Sequence, residues 1–230
     1  MNRLPLTAQQ LTGQAQSHLV QLDSGELLQA EAAHAWQQLC QRAARDGIEL
    51  AAVSSFRSFE RQALIWQQKC SGARPVLDQQ QQALAIEQLV GWEKLEAILL
   101  YSALPGASRH HWGTELDVID KAALPADYQL QLVPAEYQAG GVFAHLGHWL
   151  TQHATDAGFF LPYRQYRGGV AAEPWHLSYQ PLAERCLAQF TVEMLHQALL
   201  AQPIAEQQLV LANLPQIYQR YVLTICEAES

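Results

Sequence analysis

A chain of 230 residues in which 14 Lys+Arg stand against 22 Asp+Glu carries a formal net charge of −8 and has no Lys/Arg block, which removes the electrostatic basis for binding nucleic acid or an anionic membrane. At 49% hydrophobic and 16% charged its composition is that of a globular protein, and no apolar run approaches the ~20 residues of a membrane-spanning helix. Four scattered cysteines, Cys40, Cys70, Cys186 and Cys226, form no C-x-x-C pair, so free thiols are expected.

The opening ten residues turn to Thr and Gln instead of the apolar core of a secretory leader, so a cytoplasmic location is the expectation; a different native start would make the periplasm or cell wall the alternative. Residues 1–24 read as an N-terminal segment. A helix is expected over 25–45, where Leu28, Ala32, Ala35, Leu39 and Ala43 recur at three- and four-residue spacings and Asp46-Gly47 supplies the stop. Residues 48–53 read as a buried strand, and Ser58 as the N-cap of a helix reaching residue 69. The glutamine run 79–82 reads as polar helix or loop, and a third helix is expected over 84–101, before Pro105-Gly106.

Short strands follow at 116–119, 159–161 and 175–179, with a helix over 142–157 closed by Gly158. Beyond Pro181 the pattern is helical again, with breaks at Pro203 and Pro215. The fold class is α+β: a small antiparallel sheet flanked by helices forms the domain at 25–181, and 182–230 is its helical C-terminal extension. That extension can cap a cleft, make a dimer or simply pack on the domain.

Chemistry concentrates in three stretches. In Ser108-Arg109-His110-His111-Trp112-Gly113-Thr114-Glu115-Leu116-Asp117, a loop histidine precedes a strand aspartate, and Gly113 allows the tight turn that brings His110 and Asp117 together. Alternation puts Asp117 on one face with Glu115 and Ile119, while Leu116 and Val118 face the core. The pair fits a metal site or a buried hydrogen bond equally well. In Glu173-Pro174-Trp175-His176, His176 offers a third ligand and Glu173 a proton acceptor, with Pro174 forcing Glu173 into an extended conformation; an edge-strand proline beside a solvated Glu173 is the plainer reading. In Ser54 to Gln62, a strand gives way to a helix and Arg57 is presented toward a cleft where it can hold an anion, or is a surface arginine paired with an acid.

Arg57-Ser58 followed by Gln62, then Ser-x-His-x-x-Gly-x-x-x-Asp from Ser108 to Asp117, then Glu-x-x-His from Glu173 to His176, resemble in order the zinc D-alanyl-D-alanine carboxypeptidases of the VanY type. That group is related to murein endopeptidases, D-Ala-D-Ala dipeptidases and hedgehog-type domains. The resemblance covers roughly residues 25–181. It implies a Zn²⁺ cofactor on His110, Asp117 and His176, Glu173 as general base, and Arg57 on the substrate's carbonyl or carboxylate. It also implies a substrate-binding surface including Arg57, Ser108, Gln62 and Trp175, and a small peptidoglycan-type peptide as partner. A dipeptidase, an endopeptidase and a non-catalytic zinc- or peptide-binding module are the alternatives on the same ligands. Glu115 departs from the small residue the family often has there, and either narrows the pocket or supports a ligand. His111 has no family role and reads as a pocket wall or hydrogen-bonding residue; His145, His148 and His153 read as helical packing or surface residues.

Overall fold

The computed structural model describes residues 5–228; the first four positions of the expected N-terminal segment and the last two of the C-terminal extension lie outside that range. The chain opens with a single turn, α1 (Ala8–Leu11), capped by Thr7, and then a short hairpin, β1 (Val20–Gln21) and β2 (Leu27–Leu28). The expected helix over 25–45 therefore begins five residues late, as α2 (Ala30–Arg45). Gly25, at φ 105°, makes the hairpin turn that an L side chain resists, and the Gln29 N–H is drawn to the Gly113 carbonyl at 2.8 Å. A contact with residue 113 thus decides where this helix starts.

Next come β3 (Leu50–Ser54) and α3 (Phe59–Cys70), the latter capped by the Ser58 hydroxyl, which accepts from the Arg61 N–H. The glutamine run is the turn of a second hairpin, β4 (Val76–Leu77) and β5 (Ala83–Leu84). Consequently the helix expected over 84–101 breaks into a 3₁₀ turn, Ile86–Gln88, and a shorter α4 (Gly91–Leu99). β6 (Glu115–Asp120), α5 (Ala144–His153), β7 (Phe159–Phe160) and β8 (His176–Tyr179) follow close to expectation. Four further α-helices, α6 (Gln180–Gln189), α7 (Val192–Ala201), α8 (Gln207–Ala212) and α9 (Leu214–Ile217), follow among the described residues, the last running into a π-helical turn, Tyr218–Val222.

The central sheet has the order β3-β6-β8-β7 and is antiparallel throughout, so the fold is α+β as its sequence suggests. One face carries Leu116, Val118 and Leu177 into an apolar cluster with Trp36 and Leu39 of α2 and Leu146 and Leu150 of α5. The opposite face carries Glu115, Asp117, His176 and Ser178. Ile119 has the same parity as Asp117, yet it lies beyond the last β6–β8 pair and is buried in the apolar cluster. The C-terminal helices pack on the domain: Leu195, Leu199, Val210 and Ile217 share a second cluster with Phe59 and Trp66 of α3 and Leu95 and Ile98 of α4. Trp66 donates its indole N–H to the Ala205 carbonyl at 2.9 Å, a further tie between α3 and this region. All four cysteines are free, and among the described residues no helix is long and apolar enough to cross a membrane.

Candidate active site

Strand register assembles the site. Antiparallel pairing sets Asp117 directly opposite His176 and Glu115 directly opposite Ser178, and side chains on opposed residues of one face stand within contact distance. On the other flank, β3 carries a bulge: Ala52 pairs with Val118 and Ser54 with Asp117, leaving Val53 as the extra residue. That extra residue brings the Ser54 hydroxyl to the cleft. His110 arrives from the 3₁₀ turn Arg109–Trp112, which ends at Gly113 with φ 68°. That left-handed conformation favours glycine, and a Cβ there would also require the Leu19 side chain, 2.2 Å away at Cδ2, to move.

The ligating atoms of His110, Asp117 and His176 lie within 4.8 Å of one another, and all three residues are buried. Among the described residues no second group of this kind exists: His145 and His148 are exposed on α5, and His153 meets Arg42 Nη2 at 2.9 Å. The surroundings fix which nitrogens face inward. The Ser55 carbonyl, which can only accept, sits 2.7 Å from His110 Nδ1, so that nitrogen carries the proton and the Nε2 lone pair points to Asp117 Oδ2 at 3.2 Å. His176 Nε2 donates to Glu115 Oε2 at 2.8 Å, leaving Nδ1 turned to Asp117 Oδ1 at 3.1 Å. Two imidazole nitrogens and a carboxylate converging on one point match the donor set of a three-ligand zinc site once His176 gives up its inward proton, and outer-shell acceptors on the far nitrogens are what such sites use to orient their histidines. The residues fit zinc.

Glu115 is wholly buried and bonded on every side. It receives Arg109 Nε and Nη2, each at 3.3 Å, and the Ser178 and Thr114 hydroxyls, each at 2.8 Å, besides His176. Burial opposes its charge, but Arg109 and the bond from His176 outweigh burial and hold it at about 2. Of the two arrangements its sequence position left open, the structure has Glu115 behind His176, bonded to its outer nitrogen, and not narrowing the cleft. His176 is also buried, which works against its charge; bonds to Asp117 and Glu115 prevail and raise it to about 9 in the metal-free chain. Asp117 is likewise penalised by burial, yet His110 and His176 hold it well below the usual carboxylate range.

Glu173 closes one side. Trp175 belongs to a turn and not to β8 as expected: the His176 N–H donates to the Glu173 carbonyl at 3.1 Å, with Pro174 at the turn's second position. The turn folds Glu173 back so that its Oε2 lies 3.7 Å from His176 Nδ1. Burial drives its carboxyl up to about 7, His176 and Arg57 pulling against that and Asp117 adding to it. Tyr163, whose ring is 5.0 Å from that of His176 and whose carbonyl accepts from the Glu173 N–H at 2.8 Å, backs this corner. No sequence signal marks Tyr163, because nothing local links it to residues 173–176.

Arg57 lies beside the His110–Asp117–His176 group. Its Nη1 donates to Gln62 Oε1 at 2.9 Å, its Nη2 to the Ser54 hydroxyl at 3.0 Å, and Nη2 stands 3.6 Å from Asp117 Oδ2. Gln62 is fully buried, its other amide end donating to the Ala103 carbonyl at 2.7 Å, so it braces Arg57. Ser108 and Trp175 are buried in the cleft wall, the Trp175 ring 5.8 Å from that of Tyr137. His111 is a hydrogen-bonding residue: Nδ1 donates to the Arg57 carbonyl at 2.5 Å and Nε2 accepts from the Gly106 N–H at 3.1 Å. Burial keeps it neutral, down to about 3. His110, Asp117, His176, Glu173, Arg57 and Gln62 line a cleft of about 930 Å³, with Glu115 and His111 behind its wall.

Comparison with known proteins bears on the fold and the family. An uncharacterized protein of Haemophilus influenzae (strain ATCC 51907 / DSM 11121 / KW20 / Rd) is 40% identical over 122 residues, 52% of this chain and 93% of that one. Among solved structures the fold is similar to VanYB, determined in complex with D-alanine-D-alanine, at TM-score 0.53 and 22% identity over 80% of this chain and 86% of that one. It is also similar to the LdcB LD-carboxypeptidase, at TM-score 0.52 and 21% identity over 89% and 78%. The family model for VanY, D-alanyl-D-alanine carboxypeptidase, matches residues 25–182, and the chain belongs to that family of peptidases.

Proposed function

We propose that this chain is a zinc-dependent D,D-carboxypeptidase acting on peptidoglycan-type peptides that end in D-alanyl-D-alanine. The observation that carries the reading is a raised, largely buried carboxyl, Glu173, 3.7 Å from the inward nitrogen of a ligand, beside a three-residue donor set that fits zinc. His110, Asp117 and His176 would hold the metal, which when bound supplies Lewis acidity, lowering the proton affinity of a water and polarising the carbonyl under attack. Glu173 takes one proton from the attacking water; as the carbon–nitrogen bond breaks, it returns that proton to the leaving amine. Burial raises this carboxyl in the metal-free chain, the direction that a group exchanging a proton near neutral pH needs. Arg57, held by Ser54 and Gln62, presents a fixed guanidinium to an oxygen of the substrate without having to reorganise.

A pure binding module has no use for such a base. The test is Glu173→Gln in zinc-loaded protein, with D,D-, L,D- and D,L-linked peptides resolved by mass spectrometry. The wild-type chain should release D-alanine from the D,D-linked peptides, and the variant should keep its zinc while losing ~10² to 10⁴ in rate. Zinc loss in the variant, or an unchanged rate, overturns the assignment of Glu173. Wild-type cleavage of only internal or L,D bonds overturns the D,D-carboxypeptidase reading.

A further inference from the structure

Charge is distributed very unevenly in this molecule. The chain is acidic overall, with 22 Asp+Glu against 14 Lys+Arg, yet the cleft is lined by five of those cations, Arg57, Arg61, Lys69, Arg74 and Arg109, and by only two acids, Asp117 and Glu173. Both acids belong to the metal centre, where Asp117 meets His110, His176 and Arg57. Arg109 is neutralised by Glu115 and Arg57 is engaged at the ligands. Arg61, Lys69 and Arg74 have no acidic partner within salt-bridge distance among the described residues; Lys69 is tied only to the Pro75 carbonyl.

These cations form a row. Arg61 lies in the first turn of α3, Lys69 in its last, and Arg74 in the segment leading to β4. Eight residues of helix separate Arg61 from Lys69, about 12 Å at 1.5 Å per residue, which is the length of three to four residues of extended peptide. They are close enough to act on one another: Lys69 is lowered to about 8 by burial and then by Arg74, and Arg61 and Arg74 both oppose the charge on Arg57. Unpaired like charges kept together along one wall of a cleft, in a protein with a surplus of acid to neutralise them, are an anion-recognition surface.

Building on the peptidase reading, we propose that the substrate is an acidic peptide with a second carboxylate upstream of the scissile bond, and that this carboxylate is received along the row of Arg61, Lys69 and Arg74. Upstream is the side required, because a carboxypeptidase leaves only one residue downstream, and that residue's own carboxylate lies next to the reacting bond. The cation row then acts as a ruler that selects peptides long enough to reach it.

The experiment uses acetylated peptides ending in D-Ala-D-Ala in which glutamate or glutamine is walked through each of four upstream positions. Binding is measured calorimetrically on the Glu173→Gln protein and turnover on the otherwise unaltered enzyme. At one or two adjacent positions glutamate should bind about tenfold more tightly than glutamine and lower KM to match, with kcat little changed, and added salt should shrink the difference. Arg61→Gln with Arg74→Gln should abolish the preference, while Arg45→Gln, an exposed charge far along the chain at the end of α2, should retain it. Equal binding of glutamate and glutamine peptides at all four positions overturns the proposal, as does a preference that survives loss of both arginines. If the paired variant instead loses sensitivity to amidation of the peptide's C-terminus, the row holds the terminal carboxylate and the proposal is wrong. Charge-selective binding without turnover by the zinc-loaded enzyme would contradict the peptidase reading and leave the acidic-peptide site standing.

Discussion

Replacing Glu115 by glutamine tests how the buried network behind His176 works. The substitution preserves shape but removes the charge that Arg109 faces at 3.3 Å, and it weakens the acceptor for the His176 Nε2–H. Arg109 is 4% exposed and its Nη1 has no hydrogen-bond partner, so without Glu115 a guanidinium is left uncompensated in the interior. Breaking a buried pair by removing one partner costs ~3–5 kcal/mol, a large share of the ~5–15 kcal/mol that stabilises an ordinary domain. The second consequence is separate. With its outer nitrogen less firmly held, His176 loses orientation, and losing such a partner typically weakens metal binding ~10- to 100-fold.

Urea unfolding of the metal-free protein measures the first effect, and zinc competition against a chromogenic chelator measures the second. Adding Arg109→Leu to Glu115→Gln should restore much of the stability, because the unpaired charge is gone, but it should leave zinc affinity low. A Glu115→Gln protein as stable as wild type, with unchanged zinc affinity, would refute the reasoning. A double variant that recovers both together would show that zinc affinity merely follows stability.

Three other outcomes are expected. If Arg57 holds the terminal carboxylate, amidating a D-Ala-D-Ala peptide and introducing Arg57→Lys should each cost ~1.5–3 kcal/mol in kcat/KM and the combination little more; equal cleavage of free and amidated peptides by the wild-type enzyme would remove Arg57 from that role. Zinc must displace the Nδ1 proton of His176, which titrates at about 9, whereas His110 is lowered and Asp117 is ionised; apparent zinc affinity should therefore fall about tenfold per unit as pH drops below 9, and a flat profile or a slope near two would contradict the assigned protonation states. His111 is neutral when folded, at about 3, against 6.5 when unfolded, so below 6.5 the unfolded chain binds the extra proton; its contribution of up to ~5 kcal/mol is present above pH 6.5 and lost as pH falls toward 3. Urea unfolding against pH should show that loss in the metal-free wild type and a shallower one in His111→Gln.

The site was legible in the sequence to the extent that it depends on spacing and strand period. His110, Asp117 and His176 meet because alternation puts Asp117 on the cleft face and cross-strand pairing supplies His176, and the same alternation already grouped Glu115 with Asp117. The cap at Ser58 was legible because its hydroxyl acts within three residues. What depends on distant chain was not. The start of α2 is set by the bond from Gln29 to Gly113, and the break ahead of α4 by pairing of β4 with β5 across a glutamine run whose composition fits polar helix and loop alike. The Val53 bulge and the placing of Tyr163 beside His176 arise from sheet register and loop packing, which leave no mark in local composition.

The most direct test of the central claim is a zinc titration of the metal-free protein, with D-alanine release from a D-Ala-D-Ala peptide recorded at each step. Release should be absent without metal, rise in proportion to added zinc and level off at about one zinc per chain, as one site built from His110, Asp117 and His176 requires. Full activity in the metal-free protein, or saturation with zinc bound and no D-alanine released, would contradict it.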